Sequence, residues 1–238
     1  MMKAHPSLFL LLALVAAPLV NADLVSDLTA RAEKGEAAAQ MELATIYSKG
    51  EGVAKDDAAA LQWLLKAAEQ GEANAQLLAG QKLLKGEGAP KDPAKAVEWL
   101  SQAAGLGNTE AQMALGSLYI GGKDVRKNST EAAKWFIMSA EAGNSAAQLQ
   151  LGRMHMAGAG VVKDDVEAYK WANLAAAQGN FTAKKVVEVL EKKLKPNQVA
   201  DAKRRSLDFQ KKAAEGPLKL PADVLPLPEE PAPLLTPD

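Results

Sequence analysis

One spacing constrains this chain more than any other feature. Glycines stand at 35, 71, 107, 143 and 179, each followed four residues later by an alanine, at Ala39, Ala75, Ala111, Ala147 and Ala183. Gln40, Gln76, Gln112 and Gln148 come next, and the four tryptophans, Trp63, Trp99, Trp135 and Trp171, keep the same 36-residue interval without insertion or deletion. A fixed period between about 20 and 50 residues marks stacked supersecondary units, none of which can bury its apolar face alone. The repeat therefore sets the architecture before any single residue is weighed.

Within a period the pattern divides into two helices. Leu43, Ala44 and Tyr47 share one face of the first, as do Leu115, Gly116 and Tyr119 in a later copy. Small residues at Ala44, Gly80, Gly116 and Gly152 let a neighbouring helix come close. Ala60, Trp63, Leu64, Ala67 and Ala68 form the apolar stripe of the second. Gly50, Gly86, Gly122 and Gly158 suit the left-handed residue that closes a first helix. Asp56, Asp92, Asn128 and Asp164 then cap the second, and Pro93 fits the first helical position. Asn108, Asn144 and Asn180 cap the following first helices, after the glycines that end the second ones. Aromatics make up only 5% of a chain that is 48% hydrophobic, as closely packed alanine-rich helices require. The predicted fold is all-α, an α-solenoid.

The unit resembles the Sel1-like repeat, with its leucine-glycine, glycine-x-glycine-valine turn, lysine-aspartate, alanine and tryptophan columns. Ala147 to Gly179 carries the best copy: Leu151-Gly152, Gly158-Ala159-Gly160-Val161, Lys163-Asp164, Ala168 and Trp171. The resemblance covers residues 36–179 as four full units, and Asp23 to Gly35 matches the second helix of a preceding half-repeat. Gly122-Lys123-Asp124-Val125 lacks the second turn glycine, His155 takes a tyrosine column and Ala79 a leucine column. Phe181 to Leu194 and Gln198 to Ala214, separated by Pro196, read as C-terminal capping helices, so the solenoid spans 23–215. The resemblance implies an adaptor that assembles protein complexes, in envelope signalling or surface polysaccharide export.

The two ends differ from the middle. Lys3 and His5 precede an apolar run from Leu8 to Val20, and Val20-Asn21-Ala22 is an acceptable cleavage site, so residues 1–22 read as a signal peptide. Pro18 interrupts that run, which falls well short of the roughly 20 residues that span a bilayer. The mature chain is then expected in the periplasm or secreted, with no membrane span. Residues 216–238 hold seven prolines and read as a disordered, extended tail. A tail that docks to an envelope partner is the rival to an inert terminus.

Little here supports catalysis. Cleavage leaves 27 basic and 29 acidic residues, no concentrated positive surface for nucleic acid, and there is no cysteine. His155, the one histidine beyond the leader, cannot make a multi-histidine metal site or a triad without a nucleophile motif. No cofactor loop follows a strand. Asp56-Asp57 and Asp164-Asp165 fall in capping columns, which is their reading rather than glycosidase chemistry. The acceptor patterns Asn128-Ser129-Thr130 and Asn180-Phe181-Thr182 do so too. The tryptophan column reads as burial between units rather than a carbohydrate platform.

What varies between copies is one face of the first helices. Glu42, Thr45 and Lys49 correspond to Leu78, Gln81 and Lys85, to Ala114, Ser117 and Gly121, and to Gln150, Arg153 and Ala157. These positions share a face, and stacked helices at about 8 to 10 Å make it a ribbon roughly 40 Å long. Glu42, Thr45, Lys49, Leu78, Gln81, Lys85, Ser117, Gln150 and Arg153 are the candidate residues for binding a protein or peptide partner of the cell envelope. An enzyme acting on cell wall or β-lactams is the alternative that the resemblance implies. The members so labelled are cysteine-rich, which this chain is not.

Overall fold

The computed structural model describes residues 22–216, and among these every regular element is a helix. The expected signal peptide and proline-rich tail lie outside the described residues, apart from their boundary residues Ala22 and Gly216. In chain order the helices are α1 (Ala22–Glu33), α2 (Ala37–Lys49), α3 (Asp57–Glu69), α4 (Ala73–Lys85), α5 (Pro93–Gly105), α6 (Thr109–Gly121), α7 (Ser129–Glu141), α8 (Ser145–Ala157), α9 (Asp165–Ala177), α10 (Phe181–Lys193) and α11 (Pro196–Glu215). Helices α1 to α9 each pack on the next, and the tightest pairs are α2 with α3, α4 with α5, α6 with α7 and α8 with α9. These are the four units of an all-α solenoid, with α1 as the leading half-unit.

The ends of the helices obey the sequence. Gly50, Gly86, Gly122 and Gly158 adopt left-handed conformations, and their amides return to Ile46, Lys82, Leu118 and Met154. The side chains of Asp56, Asp92, Asn128 and Asp164 accept hydrogen bonds from the first free amides of α3, α5, α7 and α9. Asn108, Asn144 and Asn180 do the same for α6, α8 and α10, whereas Glu36 and Glu72 in that column make no such bond.

The repeated glutamine joins one unit to the next. Gln40, Gln76, Gln112 and Gln148 are buried, and their Nε2 groups donate to the carbonyls of Ala32, Ala68, Ala104 and Ala140 at 3.0 to 3.1 Å. Those carbonyls belong to the last turn of the preceding helix, where each also accepts the amide of the closing glycine, Gly35, Gly71, Gly107 or Gly143. The Oε1 atoms of Gln40 and Gln148 accept from Gln70 and Gln178. In the middle two units that position is Leu106 or Ala142, and Oε1 of Gln76 and Gln112 is buried without a partner.

Inside a unit, the small residue of the first helix meets the second at close range. A Cβ on Gly116 would lie 2.7 Å from the Phe136 ring, and one on Gly80 would lie 2.8 Å from Leu100. In α10 that column is Glu188, an exposed charge, so no second helix can seat there as in the units before it. The chain turns instead at Pro196, the first residue of α11, which packs across α9. Phe209 meets Trp171 edge-on with ring centroids 5.3 Å apart, and Arg205 reaches Glu167 at 2.6 Å.

The tryptophan column is the point of correction. Trp135 and Trp171 are buried as expected, but Trp63 and Trp99 are only half-buried. Trp171 gains a cover from α11, while Trp63 is faced by the ammonium of Lys66, 4.0 Å from its ring centroid.

Tyr169, fully buried, donates to Glu191 at 2.7 Å and so ties α9 to α10. Burial first, and the bond to Glu191 second, push its phenol up to about 12. An unfolded tyrosine ionises near 10, so this contribution to stability is complete below about pH 10 and is lost as pH rises through 12. A spectroscopic titration of tyrosinate should therefore show a late step near pH 12 that Tyr169→Phe removes. Persistence of the step in that variant would refute the assignment.

Candidate interaction groove

The first helices α2, α4, α6 and α8 present the varied columns as one face. Glu42, Thr45, Lys49, Leu78, Lys85, Ser117 and Arg153 are exposed, and Gln81 and Gln150 are half-buried. Leu78 stands 40% exposed and marks an apolar spot beside Gln81 and Lys85.

Five of these residues meet. Between α2 and α4 runs a cleft of about 240 Å³, walled by Thr45, Ser48 and Lys49 on one side and Leu78, Gln81 and Lys85 on the other. Ala44 and Leu64 form its apolar floor. The groove exists because Ala44 is small enough to let α3 approach, which brings Leu64 up between the two first helices. Glu42, Ser117, Gln150 and Arg153 do not line it. A second, shallower depression continues from Gln81 and Lys85 to Leu84, Lys91, Lys123 and Asp124.

That depression coincides with the copy that lacks its turn glycine. Gly88 and Gly160 bring their loops against the starts of α3 and α7, so close that a Cβ would lie 2.1 Å from the Asp57 carbonyl oxygen and 2.0 Å from that of Ser129. Asp124 holds the equivalent position in the third unit, and among the described residues none other than glycine has positive φ. The loop before α7 instead turns Asp124 to an ion pair with Lys91.

Sequence reasoning missed Lys82, which lies in the cleft although its column is otherwise apolar, being Ile46, Leu118 and Met154 in the other copies. One lysine in an apolar column was the available signal. Its side chain is buried, with Nζ 2.8 Å from Asp57 and 3.5 Å from Glu87. Hydrogen bonds from Lys82, then Lys55, hold the Asp57 carboxyl below the usual aspartate range. A depressed carboxylate stabilises the fold above its unfolded value near 4, and this is lost as pH falls through the lower folded value. The Lys82–Asp57 link should thus outlast mild acid. In an NMR titration, Lys82→Met should move the Asp57 midpoint up toward 4, and an unmoved midpoint would contradict the pairing.

Around the cleft, Lys49 lies 3.4 Å from Glu51 and Lys85 lies 3.8 Å from Glu87, exposed pairs that leave both ammonium groups free to exchange partners. His155 is half-buried with Nδ1 3.1 Å from the Val162 carbonyl, a local tie between α8 and its loop. The geometry offers an apolar slot rimmed by ammonium and amide groups.

The comparisons agree with this scaffold. A family model described as Sel1 repeat matches residues 37–72, 73–108, 109–144 and 145–180, in register with the four helix pairs. The chain is similar to the crystal structure of c5321, a protective antigen of uropathogenic Escherichia coli displaying an SLR fold, at 37% identity and a TM-score of 0.71. That likeness covers 80% of this chain and 41% of c5321. It is also similar to a Sel1 repeat protein from Oxalobacter formigenes, at 38% identity and a TM-score of 0.63, over 70% of this chain and 48% of the other. The chain therefore spans less than half the length of either. No curated protein matches it.

Proposed function

We propose that this chain, which belongs to the Sel1 repeat family, is an exported scaffold that holds a segment of a partner protein along the groove of its first helices. Sel1 repeat proteins are generally protein-interaction scaffolds and mostly without enzymatic activity. The observation that carries the reading is the cleft between α2 and α4, where five residues picked for their variation between copies converge on an apolar slot. A slot of this size takes one large apolar side chain, and Thr45, Gln81 and the flanking lysines supply bonds to the backbone around it. The scaffold brings no catalytic role of its own in this reading.

Export rests on residues 1–22, and it places the partner in the cell envelope. Among the described residues no helix is long and apolar enough to cross a membrane. Mass spectrometry of the protein recovered from cells should find a first residue of Asp23; an intact leader would refute the export.

The groove itself is tested by a photo-crosslinking amino acid placed at Thr45 or Gln81, with Lys134 on the exposed side of α7 as the reference. Discrete adducts from the groove positions alone are expected. Equal adducts from all three, or adducts from Lys134 only, would move the partner off this face. With the probe at Thr45, changing Leu78, Gln81 and Lys85 together should abolish the adduct while leaving the helical signal intact, since none of the three is buried.

A further inference from the structure

The last in-phase helix, α10, turns an unpartnered face outward. At 100° per residue Phe181, Lys184, Lys185, Glu188, Val189 and Lys192 fall on one side, opposite the buried Ala183 and Leu190. Phe181 is 68% and Val189 is 55% exposed, among the largest apolar exposures of the described residues. Lys193 and Lys203 bind Asp165 and Glu191, but Lys184, Lys185 and Lys192 have no carboxylate within 4.0 Å among the described residues. Lys185 rests over the Phe181 ring instead, 4.7 Å from its centroid. The imbalance is general in this part: residues 181–216 carry ten Lys and Arg against five Asp and Glu.

The chain that follows has the opposite character. Residues 217–238 contain four acids, Asp223, Glu229, Glu230 and Asp238, one base, Lys219, and six leucines set among the prolines. We infer that this acidic, leucine-rich segment docks on the outward face of α10, its leucines over Phe181 and Val189 and its carboxylates on Lys184, Lys185 and Lys192. Length permits it. The outward face of α10 is about 20 Å long. Gly216 stands at the far end of α11, about 30 Å from the turn at Pro196, and an extended proline-rich chain advances about 3.1 Å per residue, so the segment from Pro217 to Asp238, about 68 Å, covers both the return and the face.

The physical need is also plain. A solenoid ends in a helix face that its missing neighbour would have covered, and an open apolar end invites stacking of further copies. Glu188 already blocks a helix from seating there; a polar extended chain covers the remaining apolar surface without extending the stack. Tethering raises the local concentration of the segment to the order of 1 mM, so weak intrinsic affinity suffices.

The experiment compares lysine acetylation rates, read by peptide mass spectrometry, in three forms of the protein. These are the full chain, a chain ending at Gly216, and a full chain with Asp223→Asn, Glu229→Gln, Glu230→Gln and Asp238→Asn. Lys184, Lys185 and Lys192 should react about threefold faster in the second and third forms, as expected when a 1 mM effective concentration exceeds Kd about twofold. Lys34 and Lys127 should not change, and 1 M salt, roughly, should erase the protection in the full chain. Equal rates in all three forms would overturn the docking. Faster labelling on truncation but not on neutralisation would overturn the charge pairing, and protection that grows with protein concentration would assign the segment to a second copy instead.

Discussion

Gly88→Ala should lower the unfolding free energy by about 3 kcal/mol, while Gly107→Ala, at the same φ of 85°, should lower it by only about 1 to 2 kcal/mol. Both substitutions force an L side chain into the left-handed region, and that cost is common to them. They differ in surroundings. A Cβ at 88 would lie 2.1 Å from the Asp57 carbonyl oxygen and 2.6 Å from its carbon, whereas a Cβ at 107 meets nothing within 4 Å. Relief at 88 requires the whole loop to lift from the start of α3, which loosens the joint between the first and second units. Gly160→Ala should behave like Gly88→Ala, because its loop sits equally close to Ser129. Urea denaturation at matched slopes measures the differences. Equal losses at 88 and 107 would mean that the loops do not seat on the preceding unit.

Truncation of the tryptophans should divide them into two pairs. Trp135→Ala and Trp171→Ala should each cost about 3 to 5 kcal/mol, the range for removing a large buried aromatic. Trp63→Ala and Trp99→Ala should cost about 1.5 kcal/mol each, the low end for withdrawing a large apolar side chain from its packing. The smaller loss follows because both indoles are only half-buried and already meet water. Iodide should likewise quench the Trp63 and Trp99 part of the native emission, and the double variant Trp63→Phe/Trp99→Phe, which keeps both buried indoles, should resist it. Four equal costs would restore the symmetry that the repeat suggests and contradict the cover that Phe209 gives Trp171. For a fold with no cysteine and so no disulfide, the larger loss is a substantial share of total stability.

The candidate groove was legible in part. Variation between copies pointed to the exposed face of the first helices, and Thr45, Lys49, Leu78, Gln81 and Lys85 came from it directly. Lys82 was not among them, since a face chosen by helical spacing excludes the apolar column in which that lysine sits. Nor did spacing separate these five from Glu42, Ser117, Gln150 and Arg153, which share the ribbon without lining the cleft. A cleft depends on how far α3 rises between α2 and α4, and that distance is a property of packing.

The order of helices, their caps and their closing glycines are decided within a few residues, by which side chain reaches which free amide and which position tolerates a left-handed backbone. These were determined by the amino-acid sequence, and its fixed period multiplied one correct unit into four. Contacts between units keep that period only in part: the buried glutamines repeat it, but the two ends of a stack have different neighbours from its middle. Only the tertiary structure decided that α11 crosses α9, that two indoles are covered and two are not, and that Lys82 finds Asp57 from another helix. The reason is physical: local geometry repeats whenever the sequence does, whereas burial depends on what lies on the far side.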